Sequence, residues 1–428
     1  MERYQEYKDS GEKWLGEIPS HWEMKRLGSY FNERKSKVSD KDYAPLSVTK
    51  KGILPQLENV AKSNDSDNRK QVCAGDFVIN SRSDRKGSSG VSLLEGSVSL
   101  INIVLQPRKS IYSPFCNYLL KSNAFIEEYY RNGRGIVADL WTTRYDEMKS
   151  IKLAVPPLSE QTAMVSYLDR ITAQIDKAIA QQQRMIDLLN ERKQIIIQHA
   201  VTKGLDPNAE MVDSGVKWIG EMPKGWNIIK LKYCCSVKGR VGWNGLNSDE
   251  FEEESFAYLV TGQDFKGDNI EWEKCYQINK RRYEEDPYIQ LKNGDILITK
   301  DGTIGKIAKV QGLEKPACLN SGIFLLKQTK GLYTQDFLYW MLLSNVLKEF
   351  NNYTQTGATI LHLYQNVFIN MPCIVPNIEE QRHIALYLNT HCAVIDKDIN
   401  KHETLIKALR ERKQIIINEV VTGKVKVS

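Results

Sequence analysis

No run of apolar residues in this 428-residue chain approaches the ~20 needed to cross a bilayer. The first residues, Met1-Glu-Arg-Tyr-Gln-Glu-Tyr-Lys8, hold no apolar core of the kind a secretory leader needs. Eight cysteines form no Cys-x-x-Cys pair and no zinc-finger spacing, so they read as scattered thiols of a reducing compartment. The six histidines are scattered and form no metal-ligand spacing with cysteine or carboxylate, which argues against a metal site. A nucleotide-binding loop is missing too: Gly302-Thr-Ile-Gly305-Lys306-Ile307 is too short and lacks the terminal hydroxyl. A base methyltransferase would carry an Asn/Asp-Pro-Pro-aromatic loop and a glycine-rich cofactor turn, and neither occurs. A metal-dependent nuclease needs carboxylates clustered beside a lysine. Asp295 and Lys300 have that spacing, but residue 298 is Ile; Asp76 is followed by Asn80 and Ser81 with no lysine. The net charge of +6 permits a nucleic-acid partner without demanding one. These absences leave a soluble, cytoplasmic, non-catalytic chain, long enough for two to four domains.

What is present is a frame written twice. Asp9-Ser-Gly-Glu-Lys-Trp-Leu-Gly-Glu-Ile-Pro-Ser-His-Trp22 returns as Asp213-Ser-Gly-Val-Lys-Trp-Ile-Gly-Glu-Met-Pro-Lys-Gly-Trp226, at an offset of 204. Leu158-Ser-Glu-Gln returns as Ile378-Glu-Glu-Gln, and Glu191-Arg-Lys-Gln-Ile-Ile-Ile197 recurs unchanged as Glu411–Ile417, both at an offset of 220. Between these blocks the copies agree only loosely, and the second is longer by 16 residues. Such self-similarity decides the architecture. The expected order is a globular unit over 1–157, a helical arm over 158–203, a second unit over 204–376 and a second arm over 377–428.

In the arms, apolar residues recur at 3-4 spacing. The first ladder is Met164, Leu168, Ile171, Ile175, Ala178, Gln182, Met185, Leu189, Arg192 and Ile196. The second is Ile384, Leu388, His391, Ile395, Asp398, His402, Leu405, Leu409, Arg412 and Ile416. That is the seam of a coiled coil over about five heptads. A lone helix cannot bury such a face, so the two arms are each other's expected partners. Leu168, Ile175, Gln182 and Leu189 would meet Leu388, Ile395, His402 and Leu409, with Gln182 and His402 fixing register. Asn377 and Glu380 read as a capping box; Gly204 and Gly423 read as left-handed stops.

The globular units read as mixed α/β. Gly75–Asn80 and Gly294–Thr299 each read as a turn entering a strand, which Asp76 and Asp295 would shape. Val98–Leu105 and Gly322–Lys327 are further strand candidates. Ser113 ahead of Pro114, and Thr334, read as helix N-caps. The richest binding signal is the basic, hydroxyl-rich segment after the first of these strands. Ser81, Arg82, Arg85 and Lys86, with Arg69 and Lys70, would offer forks to guanine edges and donors to phosphates. Arg82 and Arg85 suit bases; Arg69 and Lys86 suit phosphates. Its counterpart holds Lys300, Thr303 and Lys306. Arg134, Arg144, Lys238, Arg240, Asn244 and Gln355 complete the candidates.

With Trp-Ile/Leu-Gly-Glu-x-Pro-x-x-Trp duplicated and Pro-x-x-x-Glu-Gln arms ending in Glu-Arg-Lys-Gln, the chain resembles the specificity subunit of type I restriction-modification enzymes over essentially its full length. The resemblance implies an α+β (mixed) fold: two similar α/β target recognition domains separated by two long helices pairing as an antiparallel coiled coil, a pseudo-two-fold internal repeat. It implies that each domain reads one half of a bipartite, asymmetric site on double-stranded DNA, for DNA methylation and host defence. The helices would set the spacing and dock two methyltransferase subunits. S-adenosylmethionine, ATP and Mg2+ would be used on those and on restriction subunits, with no cofactor and no metal on this chain. Two other readings stand beside it: an enzyme whose nuclease or methyltransferase motif has drifted, and a scaffold that binds only proteins.

Overall fold

A computed structural model describes residues 2–56, 67–135, 141–240, 246–354 and 362–427. Two compact units emerge, one of residues 1–183 with 403–428, the other of residues 184–402. Each holds one globular body and half of each arm helix, Leu158–Lys203 or Ile378–Val421. These helices, 46 and 44 residues long, exceed the length read from the ladder and at ~1.5 Å per residue measure about 69 and 66 Å. No helix among the described residues is long and apolar enough to cross a membrane.

The repeated block forms a short antiparallel hairpin in each unit, Tyr7–Asp9 with Glu17–Pro19 and Met211–Asp213 with Glu221–Pro223. After it, Glu23–Arg26 pairs with Lys152–Val155, and Asn227–Lys230 with Pro372–Val375. This ties the start of each globular body to the strand that feeds the arm. The main sheet is four-stranded and antiparallel in both units. Its order is Ser89–Val91, Phe77–Asn80, Asn102–Pro107, Phe31–Glu33 in the first and Ile307–Lys309, Ile296–Thr299, Ile323–Gln328, Cys235–Lys238 in the second. Helices Ser113–Leu120 and Asn123–Arg131 correspond to Gln335–Leu343 and Asn345–Thr354. The units diverge in the second sheet, which in the second unit contains the parallel pair Ala257–Val260 and Ala317–Leu319.

The Glu-Gln of each arm explains why the frame repeats. Trp22 Nε1 donates to Glu160 Oε1 at 3.2 Å, and Trp226 Nε1 to Glu380 Oε2 at 2.9 Å. Gln161, fully buried, accepts from Tyr112 N at 2.7 Å and donates to Pro156 O at 2.8 Å; Gln381 accepts from Thr334 N at 2.8 Å and donates to Leu332 O and Pro376 O. One amide thus satisfies the entrance of the arm and the approach to the next helix, groups that burial would otherwise leave unpaired. The opposite arm reaches the same body: Gln198 Oε1 accepts from Asn345 N at 2.9 Å, and Asn418 Oδ1 from Ala124 N at 3.5 Å.

Within the first unit the start of one arm lies against the end of the other, and Lys413 donates to both oxygens of Asp176 at 2.7 Å. Within the second unit Lys193 does the same to Asp396 at 2.8 Å. Burial alone would lower the Lys193 pKa, but Asp396 and Asp268 outweigh it and the net shift is upward. The two ion pairs are repeat equivalents and run antiparallel, as the seam requires. The ladder itself needs correction past its middle. Met185 and Leu405 stand 46% and 44% exposed, while Ile186 and Ile406 are buried. Arg192 and Arg412 face solvent, and Lys193 and Lys413 take their places. A straight α-helix turns every 3.6 residues, not 3.5, so the buried stripe slips one position after about three heptads.

Asn377 Oδ1 accepts from Glu380 N at 2.9 Å, the expected cap; the return contact comes from the Asn377 amide rather than its backbone. Gly204 and Gly423 close the arms at φ +75° and +74°. Asp76 and Asp295 shape their turns by accepting from Cys73 N and Lys292 N, and Thr334 caps through Phe337 N. Two local expectations change. Tyr112, not Ser113, is the N-cap, and the Ser113 hydroxyl donates to Gly75 O. Val98–Leu105 splits between strands Gly96–Val98 and Asn102–Pro107, because a turn there moves the chain from one sheet to the other.

Candidate nucleic-acid interface

In the first unit, three stretches distant in sequence meet at the end of strand Phe77–Asn80. Isolated bridges join Thr142 to both Arg82 and Arg134, and Thr143 N donates to Ser81 O at 3.0 Å. The approach is tight because residue 133 is glycine: a Cβ there would lie 2.2 Å from Trp141 Nε1 and 2.7 Å from Thr143 Oγ1. Trp141 Nε1 donates to Tyr130 O, and Tyr129 Oη to Thr143 O, which seats the loops on helix Asn123–Arg131.

Arg82, Arg85 and Arg144 are exposed on this cluster, and Arg134 is 84% exposed in its side chain. Arg85 lies 3.5 Å from its neighbour Asp84, an exposed pair of the kind that is weak and exchanges readily for a phosphate or base, and Arg134 lies 3.6 Å from Glu147. Lys86 contacts Glu127 at 2.7 Å and sits 4.6 Å from the Tyr130 ring centroid. Ser81 donates to Ile101 O at 2.6 Å.

Other sequence candidates lie elsewhere. Arg69 is only 7% exposed, and burial lowers its pKa; its guanidinium is taken up by Ser97 Oγ and O. Lys70 is held by Glu33 and Asn102 O. Arg240 is 3% exposed, donating to Leu319 O at 2.9 Å and Cys318 Sγ at 3.3 Å. Both arginines join strands inside a body and offer nothing to a duplex. Asn244 and Gln355 fall outside the described residues.

The second unit repeats the scaffold with other contents. Leu363 N donates to Lys300 O, the counterpart of Thr143 to Ser81, and Lys300 N donates to Gly322 O. Thr299 ties down the loop by accepting from Lys306 N through its hydroxyl, at 3.0 Å, and donating to Thr303 O. Lys300 Nζ lies 5.1 Å from the Phe324 ring and Lys238 Nζ 5.6 Å from Tyr288; Thr303 and Lys306 are exposed. No group of three or more His, Cys, Asp or Glu among the described residues could hold a metal.

Substituting Gly133→Ala is expected to displace the 141–144 segment while leaving the core intact. It should weaken duplex binding through the first unit at least tenfold with a change in melting temperature of a few degrees at most. Parallel titration and thermal unfolding would read the two effects.

Residues 223–407 match the family model described as type I restriction modification DNA specificity domain. Over 426 residues the chain is 24% identical to the type I restriction enzyme MjaVIII specificity subunit of Methanocaldococcus jannaschii, covering 96% of this chain and 94% of that one. The putative MjaX specificity subunit of the same organism is 22% identical over 442 residues, with 96% of each covered. A chain solved in work on complex assembly and conformational transition of the type I R-M system superposes with a TM-score of 0.70 at 15% identity, covering 95% of this chain and 99% of that one.

Proposed function

We propose that this chain, of which residues 223–407 match the type I restriction modification DNA specificity domain, is the DNA sequence-specificity subunit of such a system. Each globular body reads one half of a bipartite, asymmetric site, and the paired arms set the spacing. The observation that carries this reading is a shared scaffold with unlike contents. In both units a backbone link fastens the loop after the central strand to the segment before the last short helix. The side chains held there differ: Arg82, Arg85, Arg134 and Arg144 in one, Lys300, Thr303 and Lys306 in the other.

The subunit itself catalyses nothing. The methyl donor, ATP and Mg2+ are used by two methyltransferase subunits and by restriction subunits, and the methyltransferases dock on the arms. Recognition domains at 1–157 and 204–376, with arms at 158–203 and 377–428, describe the division of labour along the chain; each folded body borrows from both arms.

Exchanging residues 23–156 for the matching segment of a relative tests the reading. Methylation mapping should show one half of the motif replaced and the other kept. A change in both halves, or no methylated motif in the parent complex, would refute it. The purified chain alone with DNA, Mg2+ and S-adenosylmethionine should neither cleave nor methylate; activity there would favour an enzyme instead.

A further inference from the structure

The second unit holds a cleft of about 560 Å³ beside its main sheet, whose lining includes Asn320, Lys306, Thr303 and Gln263 together with Phe251 and Tyr276. The two rings lie 5.2 Å apart and give the cleft an apolar wall. We infer that this cleft reads a guanine in the second half-site, through Asn320 and Lys306. The inference rests on the chain being a DNA specificity subunit.

The polarity of Asn320 is fixed by its neighbour: Ser321 N donates to Oδ1 at 2.7 Å, and a backbone N–H cannot bond to the amide nitrogen. Its own backbone N–H is bound to Val260 O at 2.9 Å, so the residue is anchored to the sheet. The Asn320 side chain therefore presents Nδ2, a donor. Lys306 Nζ has no partner among the described residues and supplies a second. Asp301, the acid of the cleft, is engaged by His362. Among bases, guanine presents two adjacent acceptors, O6 and N7, on its major-groove edge, which two convergent donors match. The acidic run Glu252–Glu254 follows Phe251 directly in the chain and is not among the residues that line the cleft. In the first unit the place of Asn320, directly after the strand Gly96–Val98, is taken by Ser99, whose carbonyl accepts from Asn102. The shorter side chain cannot make the same contact, and the two half-sites differ accordingly.

The test is selection of methylated sites from a randomised duplex library by the assembled complex, wild type against three variants. Asn320→Ala and Lys306→Met should each reduce preference for guanine about 5- to 150-fold at a single position of the second half-site. Asn320→Asp keeps the shape and reverses the polarity, since a carboxylate accepts from cytosine N4, and should favour cytosine at that position. Preferences unchanged everywhere, altered only in the first half-site, or lost equally at all positions would overturn the inference. Absence of any two-part motif from the wild-type complex would count against the specificity reading itself. Thermal unfolding of Asn320→Asp within a few degrees of wild type shows that its readout is not misfolding.

Discussion

Two residues inserted after Gln182 are expected to abolish assembly with methyltransferase partners, whereas four are expected to preserve it and lengthen the gap between half-sites. The first arm helix runs unbroken from Leu158 to Lys203. Two extra residues turn everything beyond them by about 200°, so Leu168 and Ile175 on one side of the insertion and Ile186 and Ile197 on the other no longer lie on one stripe. Lys193 would also turn by that angle relative to Asp176 on the same helix, so the two could not both keep their partners on the second arm, Asp396 and Lys413. Four residues advance the helix by about 6 Å and about 400°, nearly restoring the stripe. Their axial displacement approximates two base pairs of DNA. Size-exclusion analysis of the complexes reads the first effect, and methylation mapping the second. An unchanged gap in the four-residue variant would mean that the arms join the bodies without setting their spacing.

Gln381→Leu is expected to cost about 3 kcal/mol or more, a large penalty for a change of similar volume. It strands Thr334 N, Leu332 O and Pro376 O in surroundings where the glutamine is fully buried, and each buried unpaired group costs about 1–3 kcal/mol. For a unit of roughly 200 residues that is a fall of about 6–12 °C in melting temperature. Gln161→Leu should act on the first unit in the same way. A shift under 2 °C in calorimetry for both would show that water replaces the amide.

Sequence alone revealed the repeat, the cap of the second arm, the glycine stops of both arms and the strands Phe77–Asn80 and Ile296–Thr299, because each is a local pattern whose cause lies within a few residues. It misplaced the buried stripe beyond Gln182, since the 3.5-residue ladder and the real helix agree only over a limited length. It counted Arg69 and Arg240 among DNA contacts because nothing nearby in sequence reveals their acceptors, 28 and 79 residues away. Joining Arg82, Arg134 and Thr142 at one bridge was likewise invisible. The signal that would have found it is Gly133, a residue with no side chain beside a tryptophan eight positions on.

The two units are not equivalent in the order in which they are made. The second is a single stretch, residues 184–402, complete in itself once synthesised. The first requires the last 26 residues of the chain, and Ile416, Ile417, Val420 and Val421 lie in its core beside Leu15 and Phe125. The body begun first at the ribosome is therefore finished last, and until then its apolar face is open to the wrong partner. The seam residues of the first arm, Met164 to Ile175, must wait through the synthesis of the whole second body for the helix that covers them.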